Sequence, residues 1–161
     1  MINDIERNEA YFNALKQVIV PNESLVVDLG AGLMLLSMIS KRLGAKAVIA
    51  IERNKDIVHI AKEILALNNM TIRIIEEESF FVDIDRQQIP RQPDILVSET
   101  LDGWIIGEGF LSSLNDFRSR QVLLASSIGY LSLPHSIVCV SHLVWHQTDY
   151  FRGYSSHTLY R

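Results

Sequence analysis

Leu25-Val26-Val27-Asp28-Leu29-Gly30-Ala31-Gly32 changes character halfway, from an apolar run to a glycine-rich turn. Leu25 to Leu29 reads as a short buried strand. Two glycines around one alanine let the backbone turn tightly and approach a ligand closely. Leu33 to Leu43 then reads as a helix, with Gly44 at its end. Strand, glycine turn and helix in that order open a βαβ unit. The pattern continues downstream. Ala47 to Ile51 is a second strand ending at Glu52, Asp56 to Asn68 a second helix capped by Asn54 or Asp56, and Ile72 to Ile75 a third strand. A polar segment with Pro90 and Pro93 precedes a fourth strand, Ile95 to Ser98, and Phe110 to Arg120 reads as helical. Strands alternating with helices predict a parallel sheet and an α/β, Rossmann-like, doubly wound fold.

Upstream, Ile5, Tyr11, Phe12, Leu15 and Val18 recur at helical spacing before Pro21-Asn22-Glu23 ends the pattern. Downstream of Pro134 the style shifts. Ser136 to His146 is long, apolar and rich in β-branched residues, which predicts the first strand of a second, antiparallel domain. The expected division is therefore a Rossmann-like domain over residues 1–134 and the start of another over 135–161.

Of the 161 residues, 48% are hydrophobic and 21% charged, enough apolar material for a folded core. The net charge of -4 leaves no basic stripe to cover phosphates, which argues against nucleic acid as a direct partner. The single cysteine, Cys139, sits in an apolar strand and reads as a buried structural thiol; a reducing compartment, cytoplasmic or nuclear, is the expectation. The longest apolar stretch, Leu33 to Ile39 broken by Ser37, is too short to cross a bilayer, so no membrane partner is expected.

In a doubly wound sheet, ligands bind at the carboxyl ends of the strands. Asp28, Glu52 and Glu99 all fall at or near those ends, so three carboxylates should gather along one rim. A glycine turn at a helix start, followed about twenty residues on by an acid placed for ribose hydroxyls, suits NAD, FAD and S-adenosylmethionine alike, and a bare turn without ligand has the same look. The detail favours S-adenosylmethionine. Asp28, two residues before the first glycine, would repel a pyrophosphate but attract an ammonium group.

Beyond the fourth strand, Ser98-Glu99-Thr100-Leu101-Asp102-Gly103-Trp104-Ile105-Ile106-Gly107-Glu108 carries two acids nine positions apart in a largely apolar loop. Such a loop can present two anions to one cation. A strand-end acid and an acid favoured at a helix start are the alternative reading.

Together these motifs resemble the protein arginine N-methyltransferases. The resemblance rests on Val26 to Gly32, on Leu35-Leu36-Ser37-Met38, on Gly44-Ala45-Lys46-Ala47-Val48 and on Ile51-Glu52. The Ser98 to Glu108 segment resembles that family's double-glutamate loop, and Arg7 with Tyr11 its N-terminal Arg-x-x-x-Tyr signature. The loop's wording is most similar to the divergent branch containing two-module enzymes, and the likeness runs over roughly residues 2 to 145.

The resemblance implies a class I methyltransferase fold followed by a β-barrel, S-adenosylmethionine as cofactor, and arginine-containing proteins as substrates. It implies that Arg7 pairs with the cofactor's carboxylate and that Asp28, Gly30 and Gly32 line its methionyl side. Glu52 would bind the ribose, Ser79 would contact the adenine, and Glu99 and Glu108 would clamp the substrate arginine. No metal is expected. The chemistry accounts for two acids: a guanidinium stays protonated at physiological pH, and its nitrogen lone pairs are delocalised. Paired carboxylates accept its N–H bonds, hold one nitrogen in line with the methyl donor and draw positive charge toward the others.

Three departures set further expectations. Met34 stands where the family carries a third glycine, and either crowds the ligand or packs under the turn. Phe80 follows Ser79 where many members place an acid. The sequence ends at Arg161, before the family's barrel, dimerisation arm and Thr-His-Trp loop. A truncated chain, impaired turnover and no family homodimer are the resulting expectations. A catalytically inactive interaction module is the alternative, and a small-molecule methyltransferase the third reading.

Overall fold

The computed structural model describes residues 3–82, 88–99, 110–119 and 136–139. Its frame is a parallel sheet of five strands: β1 (Leu25–Leu29), β2 (Ala47–Ile51), β3 (Arg73–Ile75), β4 (Ile95–Ser98) and β5 (Ser136–Cys139). They lie side by side in the order β3-β2-β1-β4-β5. The order reverses direction at β1, so β1 and β4 flank a topological switch point, where such sheets open a crevice. Helices α1 (Ile5–Val18), α2 (Leu35–Arg42), α3 (Lys55–Leu67) and α4 (Phe110–Ser119) complete the described regular structure, with a 3₁₀ turn at Ser79–Phe81.

The two faces of the sheet are covered by different parts of the chain. Because side chains alternate along a strand, Val26 of β1 and Val48 and Ala50 of β2 face one way. They pack against Tyr11, Leu15 and Ile19 from α1 and its end, Leu36 of α2, and Ala61 and Leu65 of α3. Leu25, Val27, Leu29, Ile49, Ile51 and Leu96 face the other way, onto Val82 and Ile89. All five β1 residues are buried. A continuous apolar strand is what a parallel sheet covered on both faces requires.

Two sequence expectations are corrected. The helix after the glycine turn begins at Leu35, not Leu33, because Met34 has φ 66°. That left-handed backbone cannot form a helical turn, so Leu33 and Met34 belong to the turn. Ser136–Cys139 pairs parallel to β4, with Ile95 opposite Ser136 and Ser98 opposite Cys139. Over these four residues the strand is parallel, the fifth of the same sheet, rather than antiparallel. A β-branched apolar run suits a buried parallel strand as well as an antiparallel one, and its length alone does not choose. The rest of the expected 135–161 segment lies outside the described residues.

Candidate functional site

The glycine turn is built by hydrogen bonds to the end of the neighbouring strand. The amides of Gly30 and Ala31 both donate to the Ile51 carbonyl at 3.0 Å. Gly30 and Gly32 have φ 70° and 52°, the left-handed region that favours glycine. A Cβ placed on Gly32 would meet nothing within 4 Å, so the space above this residue is open to a ligand. The Gly32 amide donates to Glu52 Oε2 at 3.0 Å, and the Asn54 amide donates to its Oε1 at 2.8 Å. Glu52 is thereby fixed beside the turn, at the carboxyl end of β2.

Asp28 lies beside this turn, fully buried near the end of β1. The Ser37 hydroxyl donates to its Oδ2 at 2.6 Å. Burial pushes the Asp28 carboxyl up to about 7; hydrogen bonds from the Ser37 side chain and backbone oppose the rise, and the charge of Glu52 adds to it. Met34 is also fully buried, within the core cluster that holds Tyr11 and Leu36. Of the two readings of this residue, packing under the turn is the one observed.

On the other side of the switch point, α1 carries Arg7 to Glu99. The Arg7 guanidinium donates from Nη1 to Glu99 Oε1 and pairs through Nε with Asp4 Oδ2 at 3.1 Å. Asp4 also caps α1, accepting from the Arg7 amide at 3.1 Å. The Tyr11 hydroxyl donates to the Ser98 carbonyl at 2.8 Å, one residue before Glu99. Ser98 in turn donates through its hydroxyl to the Leu29 carbonyl at 2.9 Å, tying β4 to β1 at the same level. Arginine and tyrosine four positions apart on one helix thus grip the end of one strand.

Ser79 sits in the 3₁₀ turn, and its hydroxyl donates to Ser113 Oγ of α4 at 3.1 Å. Along the expected rim the structure thus sets Arg7 against Glu99, the charge of Glu52 near Asp28, and the glycine turn against Ile51 and Glu52. Glu108 and the rest of the acid loop after Glu99 lie outside the described residues. Sequence reasoning missed Asp4 and the Ser37–Asp28 bond. Asp4, placed three residues before Arg7 at a helix start, carried a readable capping signal; Ser37, inside an apolar helix, did not. Among the described residues no cluster of His, Cys, Asp and Glu could hold a metal ion.

The set fits a zwitterionic amino-acid ligand joined to a ribose: a cation at Arg7, an anion at Asp28, a second acid at Glu52 and open space over Gly32. Comparison with known proteins gives the family. The family model of the ribosomal protein L11 methyltransferase (PrmA) matches residues 9–111. Human protein arginine N-methyltransferase 9 is 34% identical over 116 residues, spanning 71% of this chain and 14% of that protein. Protein arginine N-methyltransferase 7 of Drosophila ananassae is 36% identical over 122 residues, 71% of this chain and 18% of its own length. The chain thus spans under a fifth of either relative. Among solved structures, the protein arginine methyltransferase 10 of Arabidopsis thaliana superposes with a TM-score of 0.65 at 26% identity, covering 79% of this chain and 35% of that one. The chain therefore belongs to the methyltransferase family that the matching model describes, and protein arginine N-methyltransferases are among its relatives.

Proposed function

We propose that this chain binds S-adenosylmethionine along the β1–β2–β4 rim and serves methyl transfer to arginine side chains of proteins. One observation carries the reading: Arg7 and Glu99 touch, so the residue suited to the donor's carboxylate lies beside the residue suited to the acceptor's guanidinium. Glu99 here already accepts a hydrogen bond from a guanidinium, that of Arg7.

When bound, the cofactor supplies an electrophilic methyl group on a sulfonium sulfur. The residues of this chain would place it. Arg7 takes the carboxylate, Asp28 the ammonium group, and Glu52 exchanges its backbone amide partners for the ribose hydroxyls. Glu99, with Glu108, would receive the protonated guanidinium in the paired geometry that arginine favours. Their charges hold one nitrogen in line with the methyl group and keep positive charge on the others, so the acids act through position and electrostatics. The burial of the Met34 side chain in the core supports a working site over a decayed module.

Calorimetric titration with S-adenosylhomocysteine tests the cofactor half of the proposal. Saturable binding is expected, weakened roughly tenfold by Arg7→Ala through loss of a charge-assisted bond; absence of heat at millimolar ligand overturns it. For the acceptor half, methylation of an arginine-rich peptide should fall on the order of a hundredfold in Glu99→Gln and again in Glu108→Gln. Activity that survives both changes removes the clamp.

A further inference from the structure

Ser37 stands on α2, one turn beyond the glycine turn, and is fully buried. It donates to Asp28 from its hydroxyl, at 2.6 Å to Oδ2, and from its backbone amide. The first amides of a helix have no intrahelical acceptor. Met34, at the N-cap of α2, supplies no side-chain bond. The Asp28 carboxylate satisfies one of those amides from the adjacent strand, which accounts for the backbone contact. The hydroxyl contact is additional. Nothing in the helix requires it, since a buried serine in a helix can satisfy itself on a carbonyl one turn back, as Ser40 does on Leu36 at 2.8 Å.

We infer that Ser37 is a positioning residue for cofactor recognition: its hydroxyl orients the Asp28 carboxylate and favours the ionised form that receives the ligand's ammonium group. This deepens the cofactor reading above and rests on it. A hydrogen bond to the ionised form of a carboxyl favours that form. Without it, burial and the neighbouring charge of Glu52 work together to keep Asp28 protonated, and a protonated acid offers no charge to an ammonium ion. The ladder partners of Asp28, Ala50 on β2 and Val97 on β4, do not titrate. Arg7 on α1 pairs with Asp4 and Glu99. Glu52, after β2, is the acid whose charge bears on Asp28.

The test uses the full chain and Ser37→Ala, which removes the hydroxyl and keeps the amide. The Asp28 side-chain carbon is followed by NMR against pH without ligand, and affinity is titrated from pH 6 to 9 with two probes. S-adenosylhomocysteine carries the amino-acid group; 5′-methylthioadenosine lacks it. The expected result is an Asp28 midpoint moved upward in Ser37→Ala and S-adenosylhomocysteine affinity about tenfold weaker at pH 7, recovering toward pH 9. Methylthioadenosine should show neither change. In an Asp28→Asn background Ser37→Ala should no longer alter the pH profile. If Ser37→Ala fails to fold, the NMR titration is repeated with Ser37→Thr, which keeps the hydroxyl and should keep the midpoint. An unmoved midpoint in Ser37→Ala, or equal losses for both probes at every pH, overturns the inference and leaves cofactor binding standing. No binding of either probe by the unaltered chain overturns the cofactor reading itself, and this inference with it.

Discussion

Met34 sets two costs against each other. A non-glycine residue in the left-handed region loses about 1–2 kcal/mol to the contact between its Cβ and the next carbonyl. Truncating a buried methionine costs about 2–5 kcal/mol. With φ 66° and a fully buried side chain, Met34 carries the first cost and collects the second as packing. Met34→Gly relieves the strain and loses the packing, for a net loss of roughly 1–3 kcal/mol. Met34→Ala loses the packing and keeps the strain, so it should be the less stable of the two by about 1 kcal/mol. Urea unfolding of the three proteins checks the order; a glycine variant more stable than the parent contradicts core packing of this side chain. Asp28 makes a second residue-scale prediction. Its carboxyl is raised from 3.8 to about 7 in the folded chain. The folded state therefore holds a proton that the unfolded state releases between these values. The stability from this group is complete below about pH 4, falls as pH rises, and is gone above about pH 7. The difference spans on the order of 4 kcal/mol for a group this buried. Asp28→Asn should flatten the stability profile between pH 4 and 7 and be the more stable protein at pH 8, at the expense of binding the ligand's ammonium group. Equal slopes for the two proteins across that window would contradict the buried, proton-holding Asp28.

At the scale of elements, α3 offers the plainest test of local design. Asn54 accepts from the amides of Asp56 at 3.0 Å and Ile57 at 3.3 Å, capping the helix. Asn54→Ala should cost about 1 kcal/mol, read as a lowered thermal midpoint, and a midpoint unchanged within error would mean that solvent caps the helix equally well. Periodicity and end signals made most elements legible. β1, β2 and β4 match their expected bounds, and α3 differs by one residue at each end, because an apolar strand or a capped helix advertises itself locally. What stayed hidden was non-local or conformational. Nothing in the letters of Met34 announces a left-handed backbone, so the start of α2 was read two residues early. The partner of Ser136–Cys139 is β4, some forty positions back, and strand direction depends on that pairing alone. The site divides the same way. Asp28, Gly30, Gly32 and Glu52 follow one motif and were readable together. Asp4 and Ser37 act by gripping Arg7 and Asp28 in space, and only the fold shows those grips.

Across the whole molecule, the rim joins parts of the chain that are otherwise linked through separate contacts. Arg7 belongs to α1, which reaches the sheet through Tyr11, Leu15 and Ile19 in one core cluster. Asp28 belongs to the central strand, and Glu52 follows its neighbour. A zwitterionic ligand held by all three would bridge α1 to the centre of the sheet. Binding to the folded state alone stabilises by mass action, about 2.7 kcal/mol at a hundredfold excess over the dissociation constant. Where that stabilisation appears depends on whether Arg7 takes part. Before binding, side-chain grips that include Arg7 on Glu99 and Tyr11 on Ser98 hold α1 to the end of β4. A helix packed on the face of the sheet opens with less free energy than the strands at the core. If Arg7 engages the ligand's carboxylate, opening α1 must also break that contact, and amide exchange in α1 should slow along with exchange in β1 and β2 when S-adenosylhomocysteine is added. In Arg7→Ala the strands should gain protection and α1 should not. Slowing confined to β1 and β2 in the unaltered chain would show that the ligand sits on the glycine turn without reaching α1, and would move the carboxylate contact away from Arg7.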